Sequence, residues 1–97
     1  MSRALVLVNN ARAAMGLDRV SAFEGGRPKD TKLCPVAQLL DGVYVCDGFI
    51  ETRNERKARS IARAWRKRVE KTGATFQVDL PQVLRIFIEG VDAVDYL

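Results

Sequence analysis

The stretch of sequence that decides the fold is Val43-Tyr44-Val45-Cys46-Asp47-Gly48-Phe49-Ile50-Glu51-Thr52. Two runs rich in β-branched and aromatic residues flank a central Asp-Gly pair, which favours a two-residue turn between antiparallel strands. The stretch therefore predicts a β-hairpin in which Val45 pairs with Ile50 and Cys46 with Phe49. Because helical patterns lie on both sides of this hairpin, we expect a domain of mixed α and β structure.

Downstream of the hairpin, a strongly basic segment is predicted to form a long helix from about Asn54 to Thr72, ending at Gly73. Asn54 or Thr52 would cap its first turn. The apolar residues of this segment recur at helical spacing and define a narrow buried stripe: Ala58, Ile61, Ala62, Trp65 and Val69. The opposite side of the helix carries the cations.

A third strand and a last helix are predicted after the basic segment. Residues 74–79 alternate in polarity, with Phe76 and Val78 on one side. The last helix then begins at Pro81, a residue suited to a first turn, and reaches about Asp95. The pairing of the third strand is left open at this level.

Two helices and a loop are predicted before the hairpin. The first helix runs from Ser2 to Met15 and ends at Gly16. Its buried side is expected to carry Ala4, Leu7, Val8, Ala11, Ala14 and Met15, with Asn9, Asn10 and Arg12 toward the other side. Residues 17–33 are rich in turn formers and predict a flexible loop. A short second helix follows, with Cys34 near its cap and Gly42 at its end.

The predicted fold class is therefore α+β, with a small sheet (the β-hairpin plus a third strand) covered by three to four helices. The chain of 97 residues is expected to form a single domain, 1–97, with the flexible loop at 17–33. The glycine-rich stretch 25–29 lacks the spacing of phosphate-binding loops, so it is interpreted as a connector.

Composition argues against several classes of protein. No apolar run approaches the roughly 20 residues that cross a bilayer, and Asn9 interrupts the apolar start too early for a secretory signal. We therefore expect a cytoplasmic protein whose thiols, Cys34 and Cys46, are structural. Two thiols without histidine are too few for a zinc site, so no metal and no cofactor are expected. Without histidine the commonest general base is also missing, which favours a protein that is not an enzyme.

The positive charge of the chain is concentrated in one segment. Residues 53–71 contain nine basic and two acidic residues, a net charge of +7, whereas the rest of the chain carries a net charge of −3. On a helix these cations would spread over roughly half of the circumference, where like charges at i, i+4 repel by about 0.2–0.5 kcal/mol per pair. The candidate binding residues are Arg56, Arg59, Arg63, Arg66 and Lys67.

Three interpretations of these cations remain open. The first is a solvated face, partly neutralised by C-terminal carboxylates: Asp79, Glu89, Asp92 and Asp95. The second is contact with the phosphate backbone of a nucleic acid, although no aromatic residue interleaves with the cations, since Trp65 points to the core, and no nucleic-acid motif is recognised. The third is contact with an acidic surface on another protein, for which the cations would supply steering charge.

The C-terminal helix is a second candidate surface. Its apolar positions cover close to half of its circumference, which is wider than the usual stripe of a surface helix. This pattern is typical either of a central core helix or of an exposed apolar face that serves a homodimer or another partner. The candidate interface residues are Leu84, Ile88 and Val91.

Four groups of residues, spread over most of the chain, together carry a resemblance to known proteins. They are Leu7-Val8-Asn9-Asn10-Ala11-Arg12 before Gly16, Cys34-Pro35-Val36-Ala37-Gln38-Leu39, Ala64-Trp65, and Leu80-Pro81 with Phe87-Ile88, Asp92 and Tyr96. This combination resembles a group of short, uncharacterised proteins encoded by actinobacteria and their bacteriophages. Many members carry a second cysteine just before the Cys-Pro pair, where this chain has Lys32-Leu33, so the metal or redox role of a cysteine pair is removed.

The resemblance implies no activity, but it implies a small accessory protein of phage or host that acts by binding. Together with the charge pattern, it predicts a cytoplasmic, non-enzymatic module that binds and modulates a host protein. The alternative is nucleic-acid binding through the basic helix 53–71. No membrane partner is expected, and a homodimer remains an option.

Overall fold

The computed structural model describes residues 2–23 and 34–94, with side chains as far as Gly90. These residues form an α+β fold with four helices and one antiparallel sheet of four strands, which confirms the predicted fold class. The elements are α1 (Arg3–Ala14), α2 (Pro35–Leu39), β1 (Tyr44–Cys46), β2 (Phe49–Thr52), α3 (Glu55–Trp65), β3 (Val69–Thr72), β4 (Thr75–Asp79) and α4 (Gln82–Val94). Residues 17–23 of the predicted loop contain no helix or strand, and 24–33 lie outside the described residues.

The hairpin predicted around Asp47-Gly48 is present in the predicted register. β1 and β2 pair antiparallel, with Val45 opposite Ile50 and Cys46 opposite Phe49. Gly48 has a φ of +89°, a conformation that glycine adopts readily and other residues avoid. Its carbonyl accepts hydrogen bonds from the Leu80 amide at 3.0 Å and from the Arg85 guanidinium at 3.3 Å. The turn is thereby attached to the beginning of α4.

The basic segment departs most from its prediction, because its helix ends at Trp65 and not at Thr72. The start is as predicted: the Asn54 side chain caps α3 by accepting the Lys57 amide at 3.0 Å. At the other end, Arg66 is left-handed with a φ of 57°. The Lys67 amide donates to the Ala62 carbonyl at 2.9 Å, which closes the helix in the pattern of a Schellman motif.

The residues after Arg66 explain why the helix stops early. Val69 and Thr72 are β-branched, and Gly73-Ala74 forms a two-residue connection between β3 and β4, with Gly73 at a φ of +61°. Pairing with β4 gives these residues sheet hydrogen bonds, and it packs Val69 against the core. The free energy that the helix propensity of lysine and arginine contributes is small compared with that of sheet pairing and core packing. The segment therefore forms a strand. The predicted helix 53–71 is thus a helix followed by an edge strand.

Substitution of Arg66 tests the left-handed end of α3. Because a left-handed residue with a Cβ costs roughly 1–2 kcal/mol, Arg66→Gly is expected to be more stable than Arg66→Ala by about 1 kcal/mol. Both variants lose the same positive charge, so their difference isolates the backbone conformation. Chemical denaturation followed by the fluorescence of Trp65 measures it. Equal stabilities for the two variants would show that Arg66 is not left-handed in solution.

The sheet has the strand order β1-β2-β4-β3, which resolves the pairing that the sequence left open. β4 lies between β2 and β3, with Val78 opposite Ile50 on one side and opposite Val69 on the other. One face of the sheet packs against the apolar stripe of α3, where Ala58, Ile61, Ala62 and Trp65 are buried as predicted. The described elements share this core.

Helix α1 packs against α3, and a hydrogen bond joins them. The Trp65 indole Nε1 donates to the Leu7 carbonyl at 2.8 Å. Ser2 caps α1 as predicted, and Gly16 has a φ of +78° at its end. In α2, the Cys34 thiol takes the capping position and accepts the Ala37 amide at 3.3 Å.

The prediction of the buried side of α1 was wrong at several positions. Asn9 is buried, with 3% of its surface exposed, whereas Ala14 is exposed. The Asn9 amide donates to the Val20 carbonyl at 3.0 Å and accepts the Val20 amide at 2.9 Å. Arg12 is half-buried and donates to the carbonyls of Asp18 and Leu39. These polar side chains hold segment 17–23 and α2 to α1, which a count of apolar residues cannot reveal.

Candidate binding face

The predicted cations are divided between α3 and the chain that follows it. Arg56, Arg59 and Arg63 are spaced three and four residues apart on α3, on the side opposite its buried stripe. Arg66 is the left-handed residue at the end of α3, and Lys67 lies between α3 and β3. All five side chains are exposed, and we call them together the basic face.

The early end of α3 relieves part of the repulsion that a longer helix would impose. Arg59 and Arg63 remain i, i+4 neighbours on a helix, but a helix that continued to Thr72 would also have set Lys67 four residues from Arg63 and from Lys71, and these repulsive pairs do not form. The attractive i, i+4 pair of Arg66 with Glu70 is lost for the same reason. Cations near the end of a helix also interact favourably with its exposed carbonyls, by about 0.3–1 kcal/mol each.

Within the described residues, two ion pairs involve cations of this segment. The Lys57 ammonium lies 3.3 Å from the Asp41 carboxylate and donates to the Asp41 carbonyl at 2.7 Å. Because only 18% of the Lys57 side chain is exposed, it serves to hold α3 against the turn after α2. The Arg59 guanidinium lies 3.2 Å from the Glu55 carboxylate. Both side chains are exposed, and an exposed ion pair contributes little to the stability of a protein. The other four members of the basic face form no ion pair with the described residues.

The expected neutralisation by C-terminal carboxylates is absent for the two that the structure describes. Asp79 and Glu89 are exposed and take part in neither ion pair. α4 packs against α1. The Asp92 side chain and Asp95 lie outside the described part of the chain. The described C-terminal carboxylates therefore do not neutralise the positive charge of the basic face.

A groove of about 850 Å³ lies beside the basic face and is open to solvent. One wall is the end of α1, from Ala14 to Gly16, and Asp41 contributes from the turn after α2. The other wall is α3, which contributes three members of the basic face and also Lys57 and Ser60: its lining residues are Asn54, Glu55, Arg56, Lys57, Arg59, Ser60 and Arg63. The groove makes this part of the surface concave.

The groove includes residues that sequence analysis did not single out. Lys57 was counted only as one cation of the segment, and Asp41 and Ser60 gave no signal at all. They come together because α1 and the turn after α2 lie beside α3, so residues up to 49 positions apart in the chain, such as Ala14 and Arg63, line one groove. Among the described residues, those that line the groove include no aromatic residue, and Trp65 is buried.

The second candidate surface, on α4, is partly buried. Leu84 is completely buried in the core, so it has no surface to offer to a partner, and its expected interface role is wrong. Ile88 is half-buried and packs against the core, and the Val91 side chain lies outside the described part. Phe87 stacks on Phe23 with ring centroids 4.4 Å apart. Among the α4 side chains that the structure describes, Ile86 is the large apolar one that is exposed, with 60% of its surface open to solvent.

Neither cysteine is placed for reaction. Cys34 is buried and caps α2. Burial and the neighbouring Glu51 carboxylate raise the pKa of the Cys46 thiol, so little nucleophilic thiolate forms near neutral pH. Within the described residues, no group of three His, Cys, Asp or Glu side chains is placed to hold a metal ion.

The fold and this surface define a class of protein: a small α+β domain with a concave, basic surface formed around one amphipathic helix. No family model matches the chain, and no curated protein and no solved structure matches it either. Across the described ranges, every helix is too short or too polar to cross a bilayer. The function is therefore inferred from the surface of the chain itself.

Proposed function

We propose that this protein is a small, non-enzymatic binding module that docks its basic face on an acidic surface of a host protein and modulates that protein. The observation that supports this is the group of exposed cations, Arg56, Arg63, Arg66 and Lys67, without an acidic partner among the described residues. Such cations raise the rate of encounter with an acidic partner and make binding sensitive to salt.

The groove favours a protein over a nucleic acid as the partner. Its lining mixes cations with the carboxylates of Asp41 and Glu55 and the hydroxyl of Ser60. A phosphate backbone offers hydrogen-bond acceptors alone and is repelled by carboxylates, whereas a protein surface offers donors and acceptors together. Because the described lining residues include no aromatic side chain, they do not form the stacking platform of many single-strand binders.

We propose that the protein acts in the cytoplasm of an actinobacterial host. A chain with two cysteines, Cys34 and Cys46, that are not joined in a disulfide suits a reducing compartment. The resemblance of the sequence motifs to short actinobacterial and phage proteins supports the host and the accessory role. No catalytic step is part of the proposal.

The experiment is an affinity capture from nuclease-treated actinobacterial lysate with three forms of the protein. The wild type and Arg3→Glu are expected to retain the same discrete protein, and Arg63→Glu/Lys67→Glu is expected to lose it. Arg3 is exposed at the start of α1 and is not one of the five members of the basic face, so Arg3→Glu controls for the reversal of a surface charge as such. Circular dichroism establishes that all three are folded.

The captured protein is then purified and titrated with each variant over a range of salt. We expect the double reversal to weaken binding by roughly 10–100-fold, or about 1.4–2.8 kcal/mol, mainly through the association rate. Equal affinity of the double variant and the wild type would exclude the basic face as the docking surface. Titration of duplex and single-stranded oligonucleotides tests the alternative: salt-sensitive binding that the double reversal abolishes, with no protein captured, would replace the proposal by nucleic-acid binding.

A further inference from the structure

The register of the strands defines which side chains lie on each face of the sheet, and the two faces carry different kinds of side chain. Residues directly opposite each other in antiparallel strands point to the same face. Val45, Ile50, Val78 and Val69 form one such row, which packs into the core. The next row is Tyr44, Glu51, Gln77 and Glu70, and it points to the other face. The row of Cys46, Phe49 and Asp79 points there too.

This second face is acidic, and its apolar and aromatic side chains lie on β1 and β2. It carries the carboxylates of Glu51, Glu70 and Asp79 and no basic strand residue among those described. We call it the acidic sheet face, and its members are Tyr44, Cys46, Phe49, Glu51, Glu70, Thr72, Thr75, Gln77 and Asp79. Tyr44 is 43% exposed, and the Glu51 carboxylate accepts the Gln77 amide at 3.0 Å.

The acidic sheet face and the basic face lie on opposite sides of the molecule. The buried stripe of α3 packs on the inner face of the sheet, and the basic face is on the side of α3 that points away from it. The dimensions of the two faces also match. An α-helix of 11 residues is about 16 Å long, and the outer strands of a four-stranded sheet are about 14 Å apart.

We infer that the occupant of the acidic sheet face is a second copy of this chain, which docks its basic face there. The argument is charge complementarity between two surfaces of one molecule. A two-fold contact would place each face on itself and set like charges against each other, so the contact is head-to-tail. Because the two faces point in opposite directions, each added copy leaves one face of each kind free, and the assembly grows with concentration.

The association is weak and depends on salt. The area of a four-stranded sheet with strands of three to five residues is below that of a standard stable interface, which covers about 800 Å² per partner. Screening shortens the range of charge interaction from about 30 Å at 10 mM salt to about 3 Å at 1 M. A host protein that occupies the basic face competes with the second copy. The inference needs two faces of this chain alone, so it stands or falls independently of the proposed function.

The test is multi-angle light scattering on nuclease-treated protein with a pair of complementary charge reversals. At about 10 mM salt the mean mass of the wild type is expected to rise with concentration, and at about 1 M salt it is expected to stay that of the monomer. Arg63→Glu/Lys67→Glu reverses the basic face, and Glu70→Lys/Asp79→Lys reverses exposed carboxylates of the acidic sheet face. Each variant alone is expected to remain monomeric, and an equimolar mixture is expected to regain the concentration-dependent mass.

The mixture can regain the concentration-dependent mass only if both variants are folded. This result therefore distinguishes a variant that cannot dock from a variant that is unfolded. A wild type that stays monomeric at about 10 mM salt overturns the inference, as does a mixture that stays monomeric. Association that survives in both separate variants also overturns it, because the contact would then lie elsewhere. A closed dimer whose mass does not grow further contradicts the head-to-tail arrangement.

Discussion

Replacement of Trp65 with alanine is expected to lower the free energy of unfolding by about 3–5 kcal/mol. Trp65 is the single tryptophan of the chain, 6% exposed, at the end of α3. Its ring fills the space between α3 and α1, and its N–H donates to the Leu7 carbonyl. Because a small domain is stable by about 5–15 kcal/mol in total, this loss brings the protein close to unfolding at ambient temperature.

Urea denaturation followed by far-ultraviolet circular dichroism measures this loss, since the tryptophan signal is absent from the variant. Trp65→Phe is the matched control, because it keeps an aromatic ring and removes the indole N–H. We expect Trp65→Phe to cost about 1–2 kcal/mol, from one lost hydrogen bond and a smaller ring. A loss below about 1 kcal/mol for Trp65→Ala would contradict the packing of α1 on α3 described above.

The second large effect is expected on α4, where Leu84→Ala should cost about 2–5 kcal/mol. Leu84 is completely buried, so its truncation leaves a cavity in the core. Ile86, two residues further along the same helix, is 60% exposed. Ile86→Ala removes a side chain of the same volume from the surface, and we expect a change within about 0.5 kcal/mol.

Denaturation of the two α4 variants side by side separates the two roles that the sequence allowed for this helix. A large loss for Leu84→Ala and none for Ile86→Ala is the outcome for a core helix with one solvent-facing apolar residue. Comparable losses for both would contradict it, and would place Ile86 in a contact made by the protein in solution. Light scattering on Ile86→Ala at several concentrations then identifies whether that contact joins two copies.

Much of the local structure follows from the sequence because its causes are local. The Asp47-Gly48 pair and the β-branched residues around it specify the hairpin and its register. Ser2 and Asn54 mark the starts of α1 and α3, since each supplies an acceptor for a free amide in the first turn. The buried stripe of α3 follows from helical spacing alone.

The end of α3 could not be predicted in the same way. Nothing between Trp65 and Thr72 excludes a helix, and the next glycine, Gly73, is a plausible helix end. The helix stops at Arg66 because residues 69–72 pair with β4. A pattern of neighbouring residues does not contain this tertiary pairing. The buried position of Asn9 has a similar origin, because its partner is the backbone of Val20.

For the candidate surfaces, the sequence alone determined the charge: a net +7 in residues 53–71, with Arg56, Arg59 and Arg63 opposite the buried stripe. Tertiary structure decided the rest. Packing of α1 and of the turn after α2 beside α3 created the groove and paired Lys57 with Asp41. Pairing of β3 with β4 placed Glu70 in a row with Gln77 and Glu51, and so formed an acidic face. The physical reason is that charge is a property of the residues, whereas the surface on which charges meet depends on which distant strands and helices pack together.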